Sequence, residues 1–129
     1  MNRDEILDKV REVLVDALAV DDDEVTPTAT LRGDLGAESI DMLDITFKLE
    51  QEFDFKVAEG EMIPQNALQD PEFVQKGAIT DKGIAELKTR MPHFDFDKLG
   101  SQPTVETLMN AFTVDTLVNF VERKLAAAA

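Results

Sequence analysis

The sequence predicts an all-α fold, and three observations carry that expectation. Apolar residues recur at spacings of three and four along several stretches of the chain, the period of a helix with one face inward. Most of those stretches open on a capping residue, and several close at a glycine, a proline or a cluster of like charges. No internal repeat or low-complexity tract appears. At 129 residues and 43% hydrophobic composition, the chain is expected to form a single domain, residues 1–129, with a modest core.

The first helix carries Ile6, Leu7, Val10, Val13, Leu14, Ala17 and Leu18 at helical spacing. Asn2 is placed to cap it, and Glu5 completes a capping box. It should end near Ala19, because Asp21-Asp22-Asp23-Glu24 repels itself and Thr26-Pro27-Thr28 resists helix. Residues 20–38 then read as a long loop, with turns at Gly33 and Gly36 and anchors at Val25, Leu31 and Leu35. A second helix is expected from Ile40 to Phe53, with Ser39 at its N-cap. Its apolar residues Ile40, Met42, Leu43, Ile45, Phe47, Leu49 and Phe53 form a broad stripe expected to be mostly buried. Phe55 and Val57 should follow as an extended, inward-packing segment.

The segment from about Gly60 to Asn110 is too well capped and too apolar for a disordered linker. Asp70-Pro71 predicts a helix start, with Gly77 as its stop. Thr80 caps a further helix, stapled by Ile79 and Ile84 and ended by Pro92. A short helix is expected around Val105 to Met109. The last helix is capped by Thr113 and lined by Val114, Leu117, Val118, Val121 and Leu125, with Arg123 and Lys124 in its final turn and Ala126 to Ala129 frayed.

Charge narrows the function. Thirteen basic against 27 acidic side chains give a net charge of −14, and no basic cluster exists for a nucleic acid. Residues 1–59 hold 17 of the acids and only 6 of the bases, so the acidity surrounds Ser39. Such a surface suits partners with basic faces. No run of 18 apolar residues is present, so the chain is not expected to span a membrane. The N-terminus lacks the basic-then-apolar order of a signal peptide, and the absence of cysteine agrees with a cytoplasmic location.

Catalytic options are few. His93 is the sole imidazole, and a surface or capping role in the loop Pro92-His93-Phe94 is expected rather than general-base work. The residues around Ser39 fail the Gly-x-Ser-x-Gly nucleophile elbow, with Ala37 and Asp41 at the glycine positions. No glycine-rich phosphate loop occurs. Asp21-Asp22-Asp23-Glu24 lacks the alternating ligands and glycine of a calcium loop. No catalytic residue and no metal site are therefore expected, and the chain does not read as an enzyme.

Ser39 stands apart. A serine before a helix usually does no more than cap it. Here Met42 occupies the place where a capping box would have Glu or Gln, and Glu38 and Asp41 flank the hydroxyl with charges that could guide a basic enzyme to it. A hydroxyl at a helix start can carry a phosphodiester beside free N–H groups and the positive end of the dipole.

At this point the residues resemble the acyl carrier protein family. Leu31-Arg32-Gly33-Asp34-Leu35-Gly36-Ala37-Glu38-Ser39-Ile40-Asp41 is similar to that family's attachment motif, usually Asp-Leu-Gly-x-Asp-Ser-Leu-Asp. The likeness continues through Leu43, Leu49-Glu50-Gln51-Glu52-Phe53 and Val57, and resumes from Phe112 to Val121, covering roughly 75 residues. It implies a four-helix bundle, a covalent 4′-phosphopantetheine arm on Ser39 derived from coenzyme A, and thioester carriage of acyl groups for fatty-acid or related lipid or polyketide synthesis. It also implies a phosphopantetheinyl transferase as partner, with acyl-loading, synthase and acyltransferase enzymes whose basic docking surfaces read Glu38, Asp41, Asp44 and Glu50. A monomer is expected.

Relatives that carry aminoacyl or peptidyl groups share the serine, although the acidic second helix and the abundant Leu, Ile and Phe favour fatty acyl cargo. An unmodified helical interaction protein of the same fold is the alternative from another class. Two departures from the family stand out. Glu38 replaces the commoner Asp, and an insertion of roughly 50 residues, 60–110, precedes the last helix where the family has a short loop and one small helix. Its apolar residues either extend the core, enlarge the acyl cavity for a long or unusual chain, or form a docking surface. It is expected to pack beside the second helix as an inserted helical segment of the same domain.

Overall fold

The computed structural model describes residues 2–58 and 60–128, except for the side chains of Ser39, Gln65 and Ala128. Among these residues the chain forms α1 (Arg3–Leu18), a 3-10 turn (Asp22–Glu24), α2 (Ser39–Phe53), α3 (Gln65–Leu68), β1 (Val74–Gln75) and β2 (Ala78–Ile79). It continues with α4 (Asp81–Arg90), a second 3-10 turn (Phe96–Leu99), α5 (Val105–Asn110) and α6 (Val114–Ala128). The all-α class holds, with one hairpin of two residues per strand. The chain divides into two compact units, Met1–Val57 with Phe112–Ala129, and Ala58–Ala111.

In the first unit α1 packs against both α2 and α6. Ile6, Val10, Val13 and Leu14 of α1, Ile45, Leu49 and Phe53 of α2, and Val114, Leu117, Val118 and Val121 of α6 are buried. Asn2 caps α1 as expected, its side chain accepting from the Glu5 N–H at 2.9 Å, and Ala19 ends the helix in the left-handed region. The loop after α1 is pinned at both ends of its course. Val25, Leu31 and Leu35 are buried, the Leu31 N–H donates to the Phe112 carbonyl at 3.0 Å, and the Val114 N–H to that of Ala29 at 2.9 Å. Thr113 caps α6, accepting from the Thr116 N–H at 3.2 Å. The expected fraying of α6 does not occur between 126 and 128, because alanine is the best helix former. Arg123 and Lys124 therefore fall short of the final turn.

The second unit corrects three expectations. No helix starts at Pro71. Asp70 closes a single turn, accepting from the Glu72 N–H at 2.9 Å through its side chain and from Phe73 and Val74 through its carbonyl. The chain then enters the hairpin, where Val74 pairs with Ile79 and Gln75 with Ala78. Lys76 and Gly77 have φ of 54° and 83°, the two left-handed residues of a tight turn whose twist matches the strands. Gly77 is thus the hairpin's turn and not a helix stop. The free edge of β2 takes a third segment, with the Ile79 N–H on the Pro103 carbonyl and the Val105 N–H on that of Gly77.

α4 starts at Thr80 as expected, the hydroxyl accepting from the Gly83 N–H at 3.0 Å. Gly83 is required by close packing, since a Cβ there would lie 2.3 Å from the Phe73 carbonyl oxygen. α5 is the expected short helix, capped by Thr104. His93 departs from its expected surface role. It is 4% exposed, with Nε2 2.9 Å from the Met62 carbonyl, because a ring between Met91 and Phe94 is carried inward and must satisfy its nitrogens there.

Candidate functional site

The loop that delivers Ser39 is held by its own polar groups. The Thr30 N–H donates to the Asp34 carboxylate at 2.9 Å, and the Asp34 N–H returns a bond to the Thr30 hydroxyl at 3.0 Å. Gly36 supplies a positive φ of 72°, after which the Ala37 N–H reaches the Leu31 carbonyl at 2.8 Å. Leu35 and Ala37 are buried, while Gly36, Glu38 and Ile40 between and beyond them are exposed.

α2 begins one residue earlier than expected. Ser39 is its first helical residue and Glu38, in extended conformation, is the N-cap. The shift makes Asp41 the third helical residue, and its carboxylate accepts from the Glu38 N–H at 2.8 Å. The carboxylate of Asp41, two residues after Ser39, therefore closes the helix start, a role that Met42 cannot take. Capping by the Ser39 hydroxyl itself lies outside the described residues.

The stripe expected to be buried splits into two faces. Ile45 and Leu49 are fully buried, whereas Ile40, Leu43 and Phe47 are 71%, 74% and 56% exposed. Helical pitch explains the split. Residues 45, 49 and 53 face one way, 40, 43 and 47 nearly the opposite way, and a helix lying on a core buries only one stripe. Among the described residues these three are the exposed large hydrophobics. The exposed row starts next to Ser39 and runs two turns along α2.

The acids predicted to read partners divide as well. Glu38 is exposed, and the Asp44 side chain is half-exposed. Asp41 is engaged at the helix start, and Glu50 accepts from the Val57 N–H at 2.7 Å, fastening the chain as it leaves α2. Lys48 sits 2.8 Å from Asp16 on α1 and 3.9 Å from Asp44 one turn before it. The hydrogen bond to Asp16, helped by the charges of Asp16 and Asp44, raises its pKa above 10.5 despite some opposing desolvation. An open cleft of about 240 Å³ beside these groups is lined by Glu12, Val13, Asp16, Lys48, Gln51 and Glu52, a polar surface unsuited to an acyl tail.

Elsewhere the chemistry is sparse. His93 belongs to the second unit, where its Nε2 lies 2.9 Å from the Met62 carbonyl. Among the described residues no group of three or more His, Cys, Asp or Glu side chains is disposed to hold a metal ion. No described helix is long and apolar enough to cross a membrane.

A phosphodiester on residue 39 fits this setting. The first N–H groups of any α-helix lack helical acceptors and favour an anion, and the flanking residues Glu38 and Ile40 are exposed. Residues 8–66 match the family described as phosphopantetheine attachment site. The chain is 42% identical over 62 residues to the acyl carrier protein of Petrotoga mobilis, covering 48% of this chain and 73% of that protein. It is 43% identical over 61 residues to that of Rubrobacter xylanophilus, covering 47% and 75%, and 37% identical over 70 residues to that of Thermosynechococcus vestitus, covering 54% and 86%. No solved structure matches.

The chain belongs to the acyl carrier protein family. Members of this family are carriers rather than enzymes. Their prosthetic group is a covalently attached 4′-phosphopantetheine, which supplies a flexible arm ending in a thiol that can hold an acyl group as a thioester. The matched residues, 8–66, include the loop, Ser39 and all of α2, and stop shortly after the second unit begins. The exposed face of α2 is what sequence reasoning missed. Seven apolar residues within fourteen exceed what one buried stripe can hold, and that excess was the available signal.

Proposed function

We propose that Ser39 carries the phosphopantetheine arm and that the protein holds acyl groups for fatty-acid or related lipid or polyketide synthesis. The observation that carries this reading is the placement of Ser39 as the first residue of α2, between two exposed neighbours, inside the matched attachment region. Ser39 needs no activating base, because the transferase supplies the catalysis and the chain supplies only the hydroxyl of the residue that begins α2.

Partner enzymes dock along α2. Ile40, Leu43 and Phe47 offer an apolar row, and Glu38 and Asp44 offer negative charge beside it. A basic surface with an apolar centre complements that face, and charge-guided contacts of this kind form and dissolve quickly. Asp41 and Glu50 add to the negative field while bound to backbone N–H groups. Support for a specialised cargo, a long or unusual chain, comes from Ala58–Ala111, whose capped helices, hairpin and buried apolar residues are more structure than arm attachment needs.

Intact-mass measurement after incubation with coenzyme A and a phosphopantetheinyl transferase tests the assignment. One phosphopantetheine should add to the protein and none to Ser39→Ala. No addition, or the same addition to the variant, rejects it. Mass spectrometry of the protein from its native cell would then report the acyl group.

A further inference from the structure

We propose that Asp16 on α1 sets the charge of the docking face on α2 by drawing Lys48 away from Asp44. The inference rests on the reading above that α2 meets basic partners, and it names residues that tune that meeting. Lys48 is shared unequally. Its ammonium is 2.8 Å from the Asp16 carboxylate and 3.9 Å from that of Asp44. An Asp followed four residues later by Lys is a favoured pair on a helix surface. Without Asp16, Lys48 would close on Asp44.

Position makes the competition matter. Asp44 lies four residues after Ile40 and three before Phe47, so it borders the exposed apolar row. Its side chain is 50% exposed, that of Lys48 only 30%. Asp16 holds the cation toward the cleft between α1 and α2, so that Asp44 keeps only the longer, weaker contact and more of its charge faces a partner. Lys9, the other lysine facing this junction, is engaged with Glu52 at 3.1 Å. Because its acidic neighbours raise the Lys48 pKa, the device works at neutral pH through the position of a permanent charge rather than through titration.

Asp16→Asn and Lys48→Gln should move partner affinity in opposite directions. With the apo protein as substrate for a phosphopantetheinyl transferase at low salt, Asp16→Asn should raise KM about threefold and Lys48→Gln should lower it about twofold, with kcat unchanged. Both effects should vanish near ~0.5 M salt. Asp8→Asn is the control, removing the same charge from an α1 site whose partner is Arg11. An Asp8→Asn shift equal to that of Asp16→Asn would mean that net charge alone is sensed, and would overturn the proposal. So would an Asp16→Asn effect that persists undiminished in an Asp44→Asn background, where the route through Asp44 is gone.

A measurement independent of any transferase separates this inference from the attachment reading. The carboxyl carbon resonance of Asp44 should shift in Asp16→Asn and stay in place in Asp8→Asn. A silent Asp44 signal rejects the shared cation even if Ser39 takes the arm. A responsive signal in a protein that accepts no arm upholds the shared cation while rejecting the attachment reading.

Discussion

On α2, Ile40, Leu43 and Phe47 stand exposed beside Ser39, while in Ala58–Ala111 the residues Met62, Ile63, Leu87, Met91, Phe94 and Leu99 are all buried. Both regions are rich in apolar side chains, yet they use them differently. Contiguous apolar surface left in water invites association, so a row of three on one helix reads as an interface. Burial in the inserted unit is what folding alone would produce. The comparison sets the exposed apolar row on the helix that Ser39 begins, the face proposed above for docking. Among the described residues, none of the insertion's large apolar side chains is as exposed as those of the α2 row.

The sharpest way to break this comparison is to truncate one leucine from each face of α2. Leu49→Ala should cost about 2–5 kcal/mol in denaturant unfolding, since the side chain is fully buried. Leu43→Ala should stay within about 0.5 kcal/mol of the parent, because its side chain is largely in water. Yet Leu43→Ala should lower kcat/KM for arm addition roughly tenfold, as loss of a buried interface anchor does. Equal stability losses, or a Leu43 variant that serves the transferase normally, would erase the distinction between the faces.

A smaller effect probes the inserted unit. Gly83→Ala forces a Cβ against the Phe73 carbonyl and should cost about 1–3 kcal/mol. Amide hydrogen exchange should quicken in β1, β2 and α4, while arm addition to Ser39 continues. Loss of arm addition in this variant would show that the insertion takes part in recognition.

The smallest effect concerns the junction of α1 and α2. The folded pKa of Lys48 is raised, so the stabilisation from its carboxylate partners is fully present below the ordinary value of 10.5. It is lost as pH rises above that value and through the folded one. Unfolding temperature should therefore fall more steeply above pH 10.5 in the parent than in Lys48→Gln, and parallel curves would contradict the shift.

Much of this was legible in the sequence because the signals are local. The Asn2–Glu5 box, the Thr80 and Thr113 caps and the Asp34–Asp41 stretch each act within a few residues, and the structure has helices, turns and the loop where those residues place them. The errors arose where two local signals competed. Asp70-Pro71 fits a helix start and a single turn equally well, and the left-handed pair Lys76-Gly77 decided for the hairpin. Around Ser39, the choice of cap shifted by one residue because Asp41 could reach back to the Glu38 N–H.

The sequence by itself determined the family, the helical class, the serine at the junction of the loop with α2 and the acidic character of the first 59 residues, since all of these follow from residue identity and short-range order. Only the tertiary structure decided which apolar residues of α2 are spared burial, that His93 goes inward, and that Lys48 is divided between Asp16 and Asp44. Each of those outcomes depends on which distant segment supplies the neighbour. Periodicity counts faces on a helix, but it takes a neighbour such as α1 to choose the one that is covered.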